Sequence, residues 1–320
     1  MKIAIVGPGA VGCALGSCLH ASGHQIVFVS REETHTEPLG TQDLRRTGIL
    51  GEVTIPRTEI RTVNSLGQAG PGPFDYVLLC TKTTTNSQIR PQLEAGWADL
   101  GPQVWLVICQ NGWGNAEFFA ERLPRERIAN ARILTGFRRS DRHTVDVTVH
   151  GDPIQVGSLF VPKTRELDSL CAAIQGGGIP CQPSHQIEAE LWAKLLYNCL
   201  LNPLGALTNV NYGALARNPL TQSIMGSIAR EIFAVMDATH SRTFWETSEA
   251  YLQAFYSDLL PPTARHESSM LQDIRAERPT EIDVLSGAIV KLGVTHAVDT
   301  PINRAMLTLV HAAEKQELTR

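Results

Sequence analysis

A glycine-rich loop near the start of the chain stands between a predicted buried strand, residues 3–6, and a predicted helix, residues 10–22. Its spacing is GxGxxG: the first glycine permits a tight turn, the second lets the backbone approach a pyrophosphate, and the third lets the helix pack closely on the strand. The first helical turn offers N–H groups and partial positive charge to phosphates. The alternative is a turn that needs glycines for packing alone. We favour dinucleotide binding by Gly7, Pro8, Gly9, Ala10, Val11 and Gly12.

The end of the second predicted strand, residues 25–29, indicates which dinucleotide binds. An acidic residue about 20 positions after the loop favours NAD, because it accepts hydrogen bonds from the ribose hydroxyl. Arg31 occupies this place, and a guanidinium suits a 2′-phosphate. Glu32 and Glu33 follow directly and are alternative contacts to the ribose, and Arg31 alone is also compatible with a solvated charge. The pattern favours NADP(H), with Arg31 among its binding residues.

The first part of the chain alternates apolar, strand-like runs with helical patterns, which is typical of a parallel sheet covered by helices. A helix from about Thr164 is predicted to end in three glycines, 176–178. Further strands are predicted at 76–80, 104–109, 132–137, 145–149 and 154–160, the last three closing the sheet.

After Pro183 the strand patterns disappear, and helical periodicity continues almost to the last residue. The fold class is therefore α/β, with an N-terminal Rossmann-type dinucleotide-binding domain, 1–182, followed by an all-helical C-terminal domain, 183–320. Breaks between the helices are predicted near Pro203, Pro219, Pro261–Pro262, Pro279 and Pro301.

Composition excludes several classes of protein. With 28 basic and 32 acidic residues and a formal net charge of −4, the chain lacks the basic character of a nucleic-acid binder. No apolar run approaches the roughly 20 residues that span a bilayer, and Gly7 and Pro8 interrupt the apolar N-terminal stretch where a signal peptide would continue. Seven scattered cysteines without a CxxC pair predict neither a zinc site nor disulfides. We expect a cytoplasmic protein with no membrane, nucleic-acid or metal partner.

Two further strand ends carry polar residues where ligands gather in open α/β sheets. One is the segment Cys80-Thr81-Lys82, and the other is Gln110-Asn111-Gly112-Trp113-Gly114. Position alone does not distinguish a ligand site from a plain loop.

The most informative pattern of the second domain lies in residues 191–202, where the strongly polar side chains are Lys194, Asn198 and Asn202. Their spacing of four places them along one helix face, and the rest of the segment is apolar. Such a helix is buried, with its polar stripe facing a cavity, and a half-buried lysine acts as a general acid or base near neutral pH. The alternatives are a solvated lysine and an Asn202 that caps a helix before Pro203.

An acidic partner for Lys194 is available after Pro279. Thr280 is predicted to cap a new helix, with Asp283 completing a capping box and Glu281 in the first turn. The alternative role for Glu281 and Asp283 is simple helix-start electrostatics.

Together these segments resemble the ketopantoate reductase (2-dehydropantoate 2-reductase) family. The resemblance covers nearly the whole chain, and the motifs of the second domain are far more specific than the glycine loop. The matching segments are the glycine loop, Lys82, Gln110-Asn111-Gly112, residues 192–198, Asn202-Pro203-Leu204, residues 268–273, Thr280-Glu281-Ile282-Asp283 and residues 300–303.

The resemblance implies an NADPH-dependent reduction of 2-dehydropantoate to pantoate, a step towards pantothenate and coenzyme A. It implies Lys194 as the catalytic lysine and general acid, with Glu281 as the acid beside it. The implied partner is a small-molecule 2-oxo acid, and a homodimer is compatible with the sequence, which does not set the oligomeric state. The substrate-binding positions that it implies are Asn198, Asn202, Ser269 and Asn111. It implies that Lys82, together with Asn111, lines the nicotinamide side of the site.

Two departures from the family pattern put the particular 2-oxo acid in question. Tyr212 precedes Gly213 where the family often has asparagine, and Gly205 stands where threonine is common. Two alternatives therefore stay open. One is a related dehydrogenase acting on another 2-oxo acid, a 3-hydroxy acid or an imine, and the other is a non-catalytic NADPH-binding sensor.

Overall fold

The computed structural model describes residues 1–30, 39, 41–70, 72–162 and 165–317. Its Cα positions separate into two compact units: the first holds Met1–Gln110 and Asn115–Ile187, and the second holds Asn111–Gly114 and the chain from Glu188 onward. These units differ from the predicted domains, 1–182 and 183–320, at the boundary and at the loop 111–114. The loop groups with the second unit because its residues pack and hydrogen-bond there, as described below.

Strands occur in the first unit. Apolar runs such as KIAIV and WLVI are almost wholly buried, as expected for strands covered on both faces. Within the described residues the strands are β1 (Lys2–Val6), β2 (Gln25–Val29), β3 (Leu44–Gly48), β4 (Val53–Ile55), β5 (Arg61–Val63), β6 (Tyr76–Leu79), β7 (Trp105–Ile108), β8 (Ile128–Arg132), β9 (Thr135–Arg139), β10 (Thr144–His150), β11 (Ile154–Gly157) and β12 (Cys181–Pro183).

The described strands form two sheets. The larger has the order β12-β11-β8-β7-β6-β1-β2-β5 and the smaller the order β4-β3-β10-β9. In the larger sheet, β1, β2, β5, β6, β7 and β8 are parallel, whereas β11 is antiparallel to β8. The carboxyl ends of the parallel strands therefore lie at one edge of this sheet, where β1 leads into the glycine loop.

The smaller sheet corrects one prediction. Residues 132–137 and 145–149 were expected to close the main sheet, but the chain turns at Ile133–Leu134, and β10 pairs with β9 on one side and with β3 on the other. The N–H of Gly151, directly after β10, donates to the carbonyl of Leu134, directly before β9, at 3.0 Å and extends this pairing. The sequence did not indicate β3, because its residues LRRTG are mostly polar.

The described helices follow the predicted division, and no strand is seen among described residues after Pro183. None of these helices is long and apolar enough to span a membrane. The helices are α1 (Ala10–Ala21), α2 (Asn86–Leu100), α3 (Asn115–Ala120), α4 (Arg165–Gly176), α5 (Ile187–Thr208), α6 (Tyr212–Arg217), α7 (Pro219–Ala238), α8 (Ser248–Ala254), α9 (Ser269–Arg275), α10 (Ser286–Thr295) and α11 (Pro301–Glu317).

The predicted break at Pro203 is wrong, because α5 continues through it to Thr208. A proline inside a helix removes one hydrogen bond and costs about 3 kcal/mol in an isolated helix. Leu200, Leu201 and Leu204 around it are buried in the core of the second unit, and this burial offsets the loss. Pro219 and Pro301 instead occupy the first positions of α7 and α11, where a missing N–H costs little.

Candidate active site

The geometry of the glycine loop gives each of its glycines a separate physical reason. Gly7 has φ +91°, and a Cβ there would lie 2.8 Å from the backbone nitrogen of Thr81. A Cβ on Gly12 would lie 2.3 Å from the carbonyl oxygen of Gly7, so α1 packs against the loop only with glycine at this position. A Cβ on Gly9 would meet no atom within 4 Å. Packing within the protein therefore does not require glycine at position 9, and the space beside it is open.

The start of α1 fits the pyrophosphate of a dinucleotide. Gly9 is its N-cap, no side chain caps it, and its first turn carries no acidic residue. The first N–H groups of a helix have no acceptor within the helix, so they are available to phosphate oxygens, with the helix dipole in support. The loop is tied to the sheet by the N–H of Gly7, which donates to the carbonyl of Val29 at 3.0 Å. Arg31, the predicted 2′-phosphate contact, lies outside the described residues.

A buried amide network joins the ends of β6 and β7. Nε2 of Gln110 donates to Oδ1 of Asn86 at 2.8 Å and to the carbonyl of Thr81 at 2.9 Å. Nδ2 of Asn86 donates to Oδ1 of Asn115 at 3.0 Å. Sequence reasoning missed Asn86 and Asn115; the available signal was a polar residue at the start of each helix that follows a strand. The network holds the backbone that carries Lys82, a half-buried residue directly after Thr81.

The polar stripe lies on α5 as its spacing indicates. Lys194 and Asn198 are half-buried, and Asn202 is 5% exposed. The intervening faces of α5 belong to the core of the second unit, which includes Trp192 and Leu196, both fully buried. The three polar side chains therefore follow one face of α5 in a segment, residues 191–202, whose other residues are buried or half-buried.

Asn111 and Glu281, which are 170 positions apart, meet in the second unit. Nδ2 of Asn111 donates to Oε2 of Glu281 at 3.0 Å. The N–H of Trp113 donates to the carbonyl of Val284 at 2.9 Å, and the Trp113 ring lies 4.4 Å from that of Trp192, centroid to centroid. These contacts attach the loop 111–114 to the segment that carries Glu281.

The predicted capping box after Pro279 is wrong. Ile282–Val284 form a short 3₁₀ turn, and α10 begins only at Ser286. The hydroxyl of Thr280 does accept from the N–H of Ile282 at 3.3 Å, but the N–H of Thr280 donates to Oε1 of Glu314 at 2.7 Å and not to Asp283. A carboxylate from α11 therefore takes the place predicted for a local one, so the Glu281 segment is fixed by a long-range contact.

His311 extends this contact. Its Nδ1 lies 2.9 Å from Oε2 of Glu314, and its Nε2 lies 3.0 Å from Oδ1 of Asp283. Burial lowers the pKa of His311, but the two carboxylates outweigh burial and the net pKa is raised. Burial raises the pKa of Glu314, but its hydrogen bonds from Thr280 and His311 lower it overall. Both shifts favour an ion pair that braces the segment of Glu281.

Asn202 and Ser269, two of the predicted substrate-binding residues, lie in different surroundings: Asn202 is buried and Ser269 is exposed. Oδ1 of Asn202 accepts from the hydroxyl of Tyr212 at 2.7 Å. The fully buried Ser268 caps α9 and places its hydroxyl 3.4 Å from the carbonyl of Asn202, whereas its neighbour Ser269 is exposed. Asn211 caps α6 by accepting from the N–H of Ala214 at 2.9 Å.

Comparisons with known proteins cover both units. A family model described as "Ketopantoate reductase PanE/ApbA" matches residues 3–159, and one described as its C terminal matches residues 186–314. The chain is 33% identical over 317 residues to the 2-dehydropantoate 2-reductase of Aquifex aeolicus, covering 98% of this chain and 97% of that protein. The PanE/ApbA family ketopantoate reductase of Ralstonia eutropha has a TM-score of 0.84 at 27% identity, covering 99% of this chain and 100% of that one.

D-mandelate dehydrogenase, solved with NADH and anilino(oxo)acetate, shares the fold, with a TM-score of 0.85 at 23% identity over 99% of each chain.

The glycine loop on a parallel sheet, followed by a helical unit with a polar stripe, defines a Rossmann-type, dinucleotide-dependent oxidoreductase. The family models and the full-length relatives narrow this class of oxidoreductases to one family. The chain belongs to the ketopantoate reductase family.

Proposed function

We propose that the chain catalyses the NADPH-dependent reduction of 2-dehydropantoate to pantoate, a step towards pantothenate and coenzyme A. The full-length similarity to 2-dehydropantoate 2-reductases supports this reaction. The observation that carries the proposal is the stripe of Lys194, Asn198 and Asn202 on an enclosed helix. The same unit contains the hydrogen-bonded pair Asn111 and Glu281.

The cofactor-binding residues follow from the glycine loop. NADPH, when bound, supplies the hydride that reduces C2 of the substrate. The N–H groups at the start of α1 bind its pyrophosphate, and the open space at Gly9 admits it. We assign Arg31 to the 2′-phosphate, and Lys82 and Asn111 to the nicotinamide side.

Lys194 is the proposed general acid. Negative charge develops on the C2 oxygen during reduction, and an ammonium group nearby stabilises it. Nζ of Lys194 then donates a proton to this oxygen, which gives the hydroxyl of the product. A positioned general acid contributes about 10²- to 10⁴-fold to the rate.

The other polar residues orient Lys194 and the substrate. The Glu281 carboxylate, itself oriented by the N–H donor of Asn111, keeps Lys194 charged. Asn198, Asn202 and Ser269 bind the substrate through its carboxylate and hydroxyl. Amides and hydroxyls supply directional hydrogen bonds without adding charge, which suits the fixing of one orientation.

The proposal is tested by following the absorbance of NADPH with 2-dehydropantoate as substrate and NADH in a parallel run. We expect turnover that prefers NADPH. Lys194→Met should reduce kcat by about 10³-fold and leave the Kd of NADPH unchanged. The matched control is Lys291→Met, at an exposed lysine of α10, which should behave as the wild type. Tight NADPH binding without turnover on 2-dehydropantoate would contradict the proposal.

A further inference from the structure

The smaller sheet packs against the helix that follows the glycine loop. All four of its strands contact α1, and their order is β4-β3-β10-β9. The register aligns Arg46 of β3 with Val145 of β10, and Val145 with Arg139 of β9. Nη1 of Arg46 donates to Sγ of Cys18, in the second half of α1. β3 and the edge strand β9 therefore contact α1 from opposite sides of β10.

Arg139, the last residue of β9, and Arg142, in the turn after it, lie beside the first turns of α1. Burial raises the pKa of the Cys13 thiol to about 11, and the positive charges of these two arginines oppose that rise. Cys13 is the fourth residue of α1, and its Sγ donates to the carbonyl of Pro8 in the glycine loop at 3.2 Å. The end of β9 therefore places two cations near the start of α1, where the N–H groups are available to phosphate oxygens.

These two guanidinium groups have no carboxylate partner among the residues that the structure describes. Both side chains are half-buried, and the Nε of each is enclosed without a hydrogen bond. Nη2 of Arg139 donates to the carbonyl of Arg142, and no other hydrogen bond of either side chain is found within the described residues. The nearby acid Asp141 is exposed, and it accepts from the N–H of His143 at 2.7 Å. The first turn of α1 carries no acidic residue.

This arrangement costs free energy until an anion binds. Two like charges beside the positive end of a helix dipole repel one another, and partial burial strengthens the repulsion. Each guanidinium has five N–H donors, and donors without acceptors are costly away from solvent. A phosphate group removes both costs, because its oxygens only accept hydrogen bonds and match the paired donors of a guanidinium.

We propose that Arg139 and Arg142 bind a phosphate group of the dinucleotide, beside the N–H groups at the start of α1. The inference rests on the dinucleotide binding that is part of the proposed function, and it adds the edge strand β9 to the binding site. Two phosphate sources share this chemistry. The pyrophosphate is common to NADPH and NADH, whereas the 2′-phosphate is present in NADPH alone.

The test measures the Kd of NADPH and of NADH by titration of cofactor fluorescence, without substrate. Arg139→Gln and Arg142→Gln each remove one charge and keep a polar side chain. We expect the Kd to rise by about tenfold or more in each variant, because a charge-assisted contact is lost. Equal rises for both cofactors would assign the pair to the pyrophosphate, and a rise for NADPH alone would assign it to the 2′-phosphate. Unchanged Kd values for both cofactors would overturn the proposal.

The matched control is Arg138→Gln, on the same strand. Arg138 is exposed and pairs with Asp146 at 3.2 Å, so the Kd values of this variant should equal those of the wild type. The Tm of the cofactor-free protein separates binding from support of the fold. Arg142→Gln removes one of two repelling charges, so its Tm should be unchanged or higher. A lower Tm together with weaker binding would mean that Arg142 supports the fold, and it would overturn the proposal.

Turnover separates this inference from the proposed function. If the wild type reduces 2-dehydropantoate and both arginine variants bind both cofactors as the wild type does, only the inference fails. If the wild type binds NADPH but does not reduce 2-dehydropantoate, and the two variants bind NADPH weakly, the proposed reaction fails and the inference stands.

Discussion

Nε2 of His311 lies 3.0 Å from Oδ1 of Asp283. The other ring nitrogen faces Glu314, so both nitrogens have a carboxylate oxygen as partner. Ionised carboxylates only accept hydrogen bonds, and an imidazole donates from both nitrogens only when it is protonated. Below its raised pKa, His311 is therefore an imidazolium paired with both carboxylates, and one of these, Glu314, accepts from the N–H of Thr280, the residue before Glu281.

This relationship predicts a pH-dependent stability. The pKa of His311 is raised above its ordinary 6.5, so its contribution is complete below about pH 6.5 and is lost as the pH rises through the raised pKa. The pKa of Glu314 is lowered from 4.5, so its contribution is present above about pH 4.5 and is lost as the pH falls through the lowered pKa. Between about pH 4.5 and about pH 6.5, both contributions are present.

The measurement is the free energy of unfolding of wild type and His311→Gln at pH 6 and at pH 9. We expect the variant to be less stable at pH 6, and the difference to shrink at pH 9. The gain is at most about 1 kcal/mol, because the imidazole is 39% exposed and solvent screens the pair. His185→Gln, at an exposed histidine of the first unit, is the control. A difference that grows with pH would contradict the imidazolium.

A second prediction concerns the pair Asn111 and Glu281. Asn111→Asp replaces the donor at 3.0 Å from Oε2 of Glu281 with a second carboxylate. Two carboxylates at this distance do not both ionise readily, so the pKa of one is raised. We expect kcat/KM to fall at least about tenfold at pH 8 and to recover partly as the pH is lowered and a proton is shared. Asn111→Ala, which adds no charge, should lower activity without this pH dependence, and equal pH profiles for the two variants would refute the argument.

The sequence predicted those parts of the site whose physics is local. The glycine loop needs only its own spacing and flanking elements, and the stripe of Lys194, Asn198 and Asn202 needs only the period of a helix. Contacts that depend on distant partners gave no comparable signal. No pattern near Thr280 indicates that its N–H donates to Glu314, and none near Asn202 indicates Tyr212.

The errors have the same origin. Pro203 is a strong local helix breaker, but the burial of its leucine neighbours is a property of the whole second unit. The polar strand β3 is unrecognisable by itself and exists because β10 pairs with it. The role of Glu281 beside Lys194 came from the resemblance and remains a prediction, whereas its contact with Asn111 is a property of the fold.

The glycine loop gives a third prediction, in which two similar changes have different results. Gly9→Ala should leave the Tm unchanged, because its Cβ meets no atom within 4 Å, but should weaken NADPH binding by about tenfold or more. Gly12→Ala should weaken NADPH binding and also lower the Tm, because its Cβ would lie 2.3 Å from the carbonyl oxygen of Gly7. Thermal unfolding and NADPH titration measure the two effects separately. A Gly9→Ala variant that binds NADPH normally would remove the loop's assignment to the pyrophosphate.

The last prediction uses one substitution at two tyrosines of the second unit. The Tyr251 hydroxyl is fully buried and makes no hydrogen bond among the described residues, whereas the Tyr212 hydroxyl donates to Asn202. A buried polar group without a partner costs about 1–3 kcal/mol, and a satisfied one contributes about 1 kcal/mol. Tyr251→Phe should therefore raise the free energy of unfolding, and Tyr212→Phe should lower it. Urea unfolding of both variants measures the two signs, and a loss of stability in Tyr251→Phe as large as that in Tyr212→Phe would show that the Tyr251 hydroxyl is satisfied, for example by a buried water.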